Sequence, residues 1–199
     1  MLNVTQPQAE LRTAALVPLL RTPNLILGPF YPLAPPAPAG AALWCAHQAR
    51  QDRRVQPVEV SGRVINLGGI PVASALVEAW QSDERGRYHH PSAPKPAPDD
   101  AGFVGYGALR TDESGRYCFR TLKPGAYVEG ARRRAPHIHF QVTGAHDRLV
   151  TQMFFPHEPL NAEDHWYRAA NRSQQLVATV VRDTPERLQL SWDIVLSTG

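Results

Sequence analysis

Cysteine is scarce in this 199-residue chain, which has only Cys45 and Cys118. Two thiols cannot build a disulfide framework, so a packed core has to hold the fold. Cys118 falls in a strand-like run and reads as a buried thiol, and the chain reads as cytoplasmic. A bilayer-spanning run is also missing. The apolar stretch Ala14-Ala15-Leu16-Val17-Pro18-Leu19-Leu20 is too short to cross a membrane. It follows a polar, acid-containing start, unlike a signal peptide. It reads as a short helix or arm that packs on the body or on a partner chain. Charge of one sign is lacking as well: 21 Lys and Arg stand against 18 Asp and Glu, a net charge of +3. The arginines are dispersed, so neither nucleic acid nor membrane is an expected partner. The one dense basic run is Arg132-Arg133-Arg134. It reads either as a solvated loop or, beside two histidines, as a rim that attracts anions.

Proline and glycine are abundant, at 19 and 14 residues. They favour short strands and loops over long helices. The length suits one domain with a proper core. Residues 1–55 read as an N-terminal arm and entry loop, and 56–199 as a β-sandwich with long loops and one or two short helices. Val58, Val60 and Val64 alternate with Glu59, Ser61 and Arg63, as in a half-buried strand. A second strand is expected over Ala75–Trp80, and others near Tyr117–Leu122, Pro136–Val142 and Leu149–Phe155. Pro91–Gly102 is too rich in proline for a strand and reads as a long functional loop. Ser173–Val181 reads as a short helix with Ser173 as its cap. Arg187–Leu196 closes the sheet, with Leu188, Leu190, Trp192, Ile194 and Leu196 on one face. The pattern predicts an all-β, antiparallel β-sandwich.

The chemistry concentrates in Arg134-Ala135-Pro136-His137-Ile138-His139-Phe140. On a strand, His137 and His139 share a face while Ile138 turns into the core. Tyr88, in Gly86-Arg87-Tyr88, and Tyr127, after Lys123-Pro124-Gly125, add two phenols. Two phenolates and two imidazoles without a thiolate form a hard, anionic set that suits ferric iron better than zinc or copper(I). Each residue also has a plain structural reading. The histidines can be polar residues on an exposed strand face, the tyrosines satisfied core or rim residues, and Arg134 a surface ion pair. His89, His90, His146, His157 and His165 read as residues outside the motif.

Taken in order, these segments resemble the intradiol ring-cleavage dioxygenases of the protocatechuate 3,4-dioxygenase type. Gly28-Pro29-Phe30-Tyr31-Pro32, Thr151-Gln152-Met153 and Trp192-Asp193-Ile194 extend the resemblance over nearly the whole chain. It implies a non-haem Fe(III) enzyme that cleaves a catechol between its hydroxyl-bearing carbons and inserts both atoms of O2 to give a cis,cis-muconate. It implies Tyr88, Tyr127, His137 and His139 as metal ligands, with Tyr127 leaving the metal to take a substrate proton. Arg134 would stabilise charge on the ring, and Gln152 would line the oxygen side. Gly28, Pro29, Tyr31 and Arg133 would contact substrate. Protocatechuate is the first expected substrate, with catechol or hydroxyquinol next. The resemblance also implies an oligomer, of one chain type or with a related second subunit. One departure is Glu129, two residues after Tyr127, where the family usually has Trp. The turn and strand motifs are similar also to a non-catalytic transthyretin-like or carboxypeptidase-regulatory-like module, which does not account for His137, His139, Arg134 and Tyr88. A metal-free partner subunit like the family's second chain type would not carry all four ligands.

Overall fold

The computed structural model describes residues 18–33, 42–43, 56–94, 96–97 and 103–199. Ala14–Val17 of the expected arm helix lies outside them, as does Cys45. Eleven strands carry the fold: β1 Pro57–Asn66, β2 Leu76–Trp80, β3 Tyr106–Arg110, β4 Arg116–Leu122, β5 Tyr127–Glu129, β6 Arg132–Arg134, β7 His137–Thr143, β8 Arg148–Phe154, β9 Thr179–Thr184, β10 Arg187–Ser191 and β11 Ile194–Leu196. One sheet centres on β1. Strand β4 runs antiparallel along one of its edges, while β10 and then β11 run parallel along the other. The second sheet has the order β3-β2-β7-β8 and is antiparallel throughout. The sandwich is therefore antiparallel except where β1 meets its two C-terminal partners.

Alternation builds the core. Val58, Val60 and Val64 are buried from the first sheet, and Val77, Ala79, Ile138, Phe140 and Val142 from the second. Leu188, Leu190, Trp192, Ile194 and Leu196 join them, as their spacing predicts. Aromatic packing adds specificity: the Phe140 ring lies 5.2 Å from Trp192 and 6.0 Å from Phe119.

Four expectations need correction. Ser173–Val181 is not one helix: a 3-10 turn covers Ser173–Leu176, and Thr179–Thr184 is strand β9. The turn starts on Arg172 in the left-handed region, without a side-chain cap. The β-branched run Thr179-Val180-Val181 then pairs with β10. A true α-helix, α1, spans His165–Ala169 instead, capped by Asp164. Arg132–Arg134 is not a solvated loop but the second strand of a hairpin with β5, and Arg134 in it is buried. Cys118 is half-buried rather than buried. Among the described residues no helix is long and apolar enough to cross a membrane.

Candidate metal centre

The second sheet buries both of its faces. Ile138 and Phe140 face the sandwich core, while His137, His139 and Gln141 face outward beneath a lid of loops. Register places His139 beside Trp80 on β2 and Gln152 on β8. The Trp80 indole stacks on the His139 ring, 4.9 Å away and within 10° of parallel. The two imidazoles meet with Nε2 atoms 3.1 Å apart. His137 Nδ1 lies 2.6 Å from the Ala135 carbonyl, which accepts its proton and leaves Nε2 as a lone-pair donor. Burial pushes both imidazoles well below their ordinary range; the Arg134 guanidinium acts the same way on His137, and His137 and Arg134 act the same way on His139. Both are therefore neutral, the state a metal ligand needs.

The phenols close over the histidines. The Tyr127 ring lies 5.7 Å from His137, and the Tyr88 ring 6.4 Å from His139. The two phenol rings meet edge to face at 5.4 Å. Tyr88 is buried and its hydroxyl has no well-directed hydrogen bond. Burial and the Tyr127 phenol raise its pKa well above the usual range. Burial also pushes Tyr127 up, to about 12, although the Arg134 guanidinium pulls it down. Among the described residues no group of three or more His, Cys, Asp or Glu side chains stands ready for a metal, so a metal here would have to draw on the phenols. An orphaned buried phenol, two neutral imidazoles meeting through their ring nitrogens and a second phenol beside them fit a hard trivalent cation, which would itself lower the phenol pKa values.

Loops supply the lid, and two glycines let them approach. Gly28 has φ +76°, and a Cβ there would stand 3.0 Å from His139 Cε1. Gly86 has φ +74°, and its Cβ would meet the Ala126 carbonyl oxygen at 2.4 Å. The Phe30 ring fills the gap between the phenols, 4.5 Å from Tyr88 and 6.2 Å from Tyr127. Outside the phenols lies a cavity of about 340 Å³ lined by Phe30, Arg85, Arg87, Tyr88, Pro94 and Tyr127, among others.

Arg134 is held from every side. Its Nε donates to Asp164 Oδ2 at 2.9 Å, Nη2 to Gln152 Oε1 at 2.7 Å, and Nη1 to Glu129 Oε2 and Tyr127 Oη, both at 3.3 Å. Glu129 therefore pairs with an arginine. Sequence reasoning missed Asp164, which is fully buried. Its Oδ2 also accepts the Ala135 N–H, while Oδ1 caps α1 at Trp166 and Tyr167. The only local signal was an Asp before a short helix-compatible run. Glu78 was missed too. On β2 it accepts from Tyr31 and Tyr106 at 2.7 and 2.8 Å, and from Gln141 at 2.6 Å.

The structure thus brings Tyr88, Tyr127, His137, His139, Arg134 and Gln152 together. The substrate candidates are spread more widely. Gly28 lies against His139. Tyr31 turns to Glu78 and packs edge-on against Trp80 at 5.0 Å. Pro29 is exposed at a turn. Arg133 is exposed opposite Val128. Neither Pro29, Tyr31 nor Arg133 is among the residues lining the cavity. His90, read as an ordinary loop residue, is buried 5.8 Å from Phe30.

Comparison with known proteins agrees with this picture. The sequence profile described as "Dioxygenase" matches residues 26–198. The chain is 42% identical over 149 residues to the protocatechuate 3,4-dioxygenase beta chain of Burkholderia cepacia, covering 70% of this chain and 63% of that one. It is 32% identical over 161 residues to catechol 1,2-dioxygenase 1 of Acinetobacter lwoffii, covering 73% and 50%. The chain thus spans between half and two thirds of these relatives' length. Among solved structures, the dioxygenase domain of a dioxygenase carbohydrate-binding protein fusion from Streptomyces sp. SirexAA-E superposes with a TM-score of 0.68 at 27% identity, covering 90% of this chain and 99% of that one.

Proposed function

From a chain that belongs to the intradiol ring-cleavage dioxygenase family, we propose a non-haem Fe(III) enzyme that cleaves catechols between their hydroxyl-bearing carbons, with protocatechuate as its first substrate and a cis,cis-muconate as product. The observation that carries this reading is the convergence of Tyr88, Tyr127, His137 and His139 around one point beside a cavity, with Arg134 held against Tyr127. The transthyretin-like alternative has no use for such a cluster.

Tyr88, Tyr127, His137 and His139 would hold a ferric ion, which would supply Lewis acidity toward the hydroxyl oxygens of a catechol. The chain's own groups divide the remaining work. Tyr88, His137 and His139 are buried, and they would hold the metal. Tyr127 is half-buried and lines the cavity. Its Oη already has a second partner, since Arg134 Nη1 is 3.3 Å away. Of the two phenols, Tyr127 is thus the one that would accept a catechol proton at Oη. Arg134 is a fixed cation whose fork is oriented by Asp164 and Gln152, ready to stabilise charge that develops on the ring. Phe30 and Pro94 give the ring apolar walls.

The beta-chain name of the Burkholderia cepacia relative supports assembly with further chains, of the same or a related kind. The test is elemental analysis, visible absorption and product mass on natively produced protein. We expect bound iron, a phenolate charge-transfer band that shifts on adding a catechol, and a muconate product. Colourless protein carrying zinc or no metal would overturn the proposal.

A further inference from the structure

The expected anion-attracting arginines, Arg132 and Arg133, are exposed on the hairpin, and neither is among the residues lining the cavity. Two other arginines do line it, Arg85 and Arg87, on the turn that leads into Tyr88. We infer that Arg85 reads a carboxylate on the substrate ring and so makes the site selective for catechols that carry one. The inference rests on the proposed function.

The turn is built to hold the backbone of both residues in place. Asp83 is buried at its base. Its Oδ1 accepts the Arg85 and Arg87 N–H groups at 2.9 and 2.8 Å. The Asp83 carbonyl accepts the Gly125 N–H at 2.8 Å, which ties the turn to the segment ahead of Tyr127. Gly86 then presses the turn onto Ala126. The turn backbone, and with it the Cα of Arg85, is therefore tied to the segment that carries Tyr127.

The two arginines differ in what already neutralises them. Arg87 donates Nε to Asp83 Oδ2 at 2.7 Å, and its Nη2 approaches the same oxygen. Its charge is matched by a buried carboxylate and is not available to a ligand. Among the described residues Arg85 pairs only with the adjacent Glu84, at 3.3 Å, with side chains 63% and 34% exposed. Exposed pairs of this kind contribute little and are screened by salt. A substrate carboxylate entering the cavity can replace Glu84, which does not line it. Among the described residues, the acids Glu129 and Asp164 are both engaged by Arg134 and so do little to oppose an anionic ring. A catechol whose hydroxyls reach the phenols would share one cavity with Phe30, Pro94 and Arg85.

The test is the ratio of kcat/KM for 3,4-dihydroxybenzoate to that for catechol, in the iron-loaded enzyme. Arg85→Gln should lower this ratio about fivefold, the size expected for one partly exposed charge pair, and Arg85→Lys should recover part of it. Calorimetric binding of 3,4-dihydroxybenzoate should weaken by the same factor. The wild-type ratio should fall with added salt, and the Arg85→Gln ratio should not. A wild type that cleaves neither compound overturns the proposed function and this inference together. A wild type that cleaves catechols with a ratio unmoved by Arg85→Gln, or moved by Arg133→Gln in its place, overturns this inference alone.

Discussion

The two faces of the β3-β2-β7-β8 sheet are built from the same strands and serve opposite ends. The inner face presents Val77, Ala79, Ile138, Phe140 and Val142 to the sandwich core. The outer face presents Glu78, Trp80, His137, His139, Gln141 and Gln152, all of them also buried. Burial of apolar side chains stabilises the inner face without any need for direction. Burial of polar ones costs free energy unless each finds a partner, so the outer face is held by directed contacts: Glu78 with two phenols and an amide, Arg134 with two carboxylates. Among the described buried polar atoms left without a partner are the Tyr88 hydroxyl and His139 Nδ1, both at the candidate metal centre. One face makes the fold, and the other spends stability on a site.

The sharpest way to break this contrast is at two adjacent residues of β7. Phe140→Ala should lose about 3–5 kcal/mol of stability, as a buried aromatic usually does. His139→Ala should cost no more than about 2 kcal/mol, yet abolish iron binding and ring cleavage. Denaturant unfolding and iron analysis of both variants check this. Comparable unfolding losses would show that the outer face is structural too.

Asp164 comes next, because it serves both purposes. Asp164→Ala strips a buried cation of its carboxylate and α1 of its cap, at a cost of about 3–5 kcal/mol. Asp164→Asn keeps an oxygen for the cap and should recover part of the stability while leaving Arg134 less firmly oriented. Ring-cleavage rates that recover fully along with stability would mean the orientation of Arg134 does not matter.

Glu78 is a smaller case. Glu78→Ala leaves Gln141 and the Tyr31 and Tyr106 hydroxyls without their acceptor and should cost about 1–3 kcal/mol. Iron content should hold, since the hydrogen bonds of Glu78 go to Tyr31, Tyr106 and Gln141 and to none of the four candidate ligands. Loss of iron with little loss of stability would place Glu78 in the metal site.

The smallest expected effect is at alkaline pH. Burial and the Glu78 carboxylate raise the Tyr31 phenol to about 12. The folded state thus keeps a proton that the unfolded chain releases near pH ~10. The stability this confers is fully present below pH ~10 and is lost as pH rises through about 12. Thermal melts should fall less steeply over that window in Tyr31→Phe than in the wild type. Equal slopes would show that Tyr31 is not anchored by Glu78.

Much of the fold was legible in the sequence. The Val58-Val60-Val64 alternation, the β7 and β8 runs and the closing Leu188–Leu196 segment all lie where their patterns put them, because a strand's period needs only neighbouring residues. The stretch from Ser173 to Val181 misled because a short polar run with Ser in front satisfies local helix rules, whereas pairing with β10 outweighs them. The two short strands of the β5–β6 hairpin, with the buried Arg134, looked like a basic loop, since a charged run carries no sign of what it will pair with.

The sequence by itself determined that His137 and His139 share a face, that Ile138 opposes them, and that two phenols and an arginine accompany them in a dioxygenase-like order. Local geometry and the pattern of the family are written into residue order. Only the tertiary structure decided the partners that give these residues their setting. Asp164, thirty residues beyond Arg134, holds its guanidinium. Glu129 turns to Arg134, Tyr31 to Glu78, and Arg85 rather than Arg133 lines the cavity. Such contacts join residues that are remote in the chain, or depend on which way a short loop folds back. Their identity follows from how strands pair and loops close, which no spacing along the chain encodes.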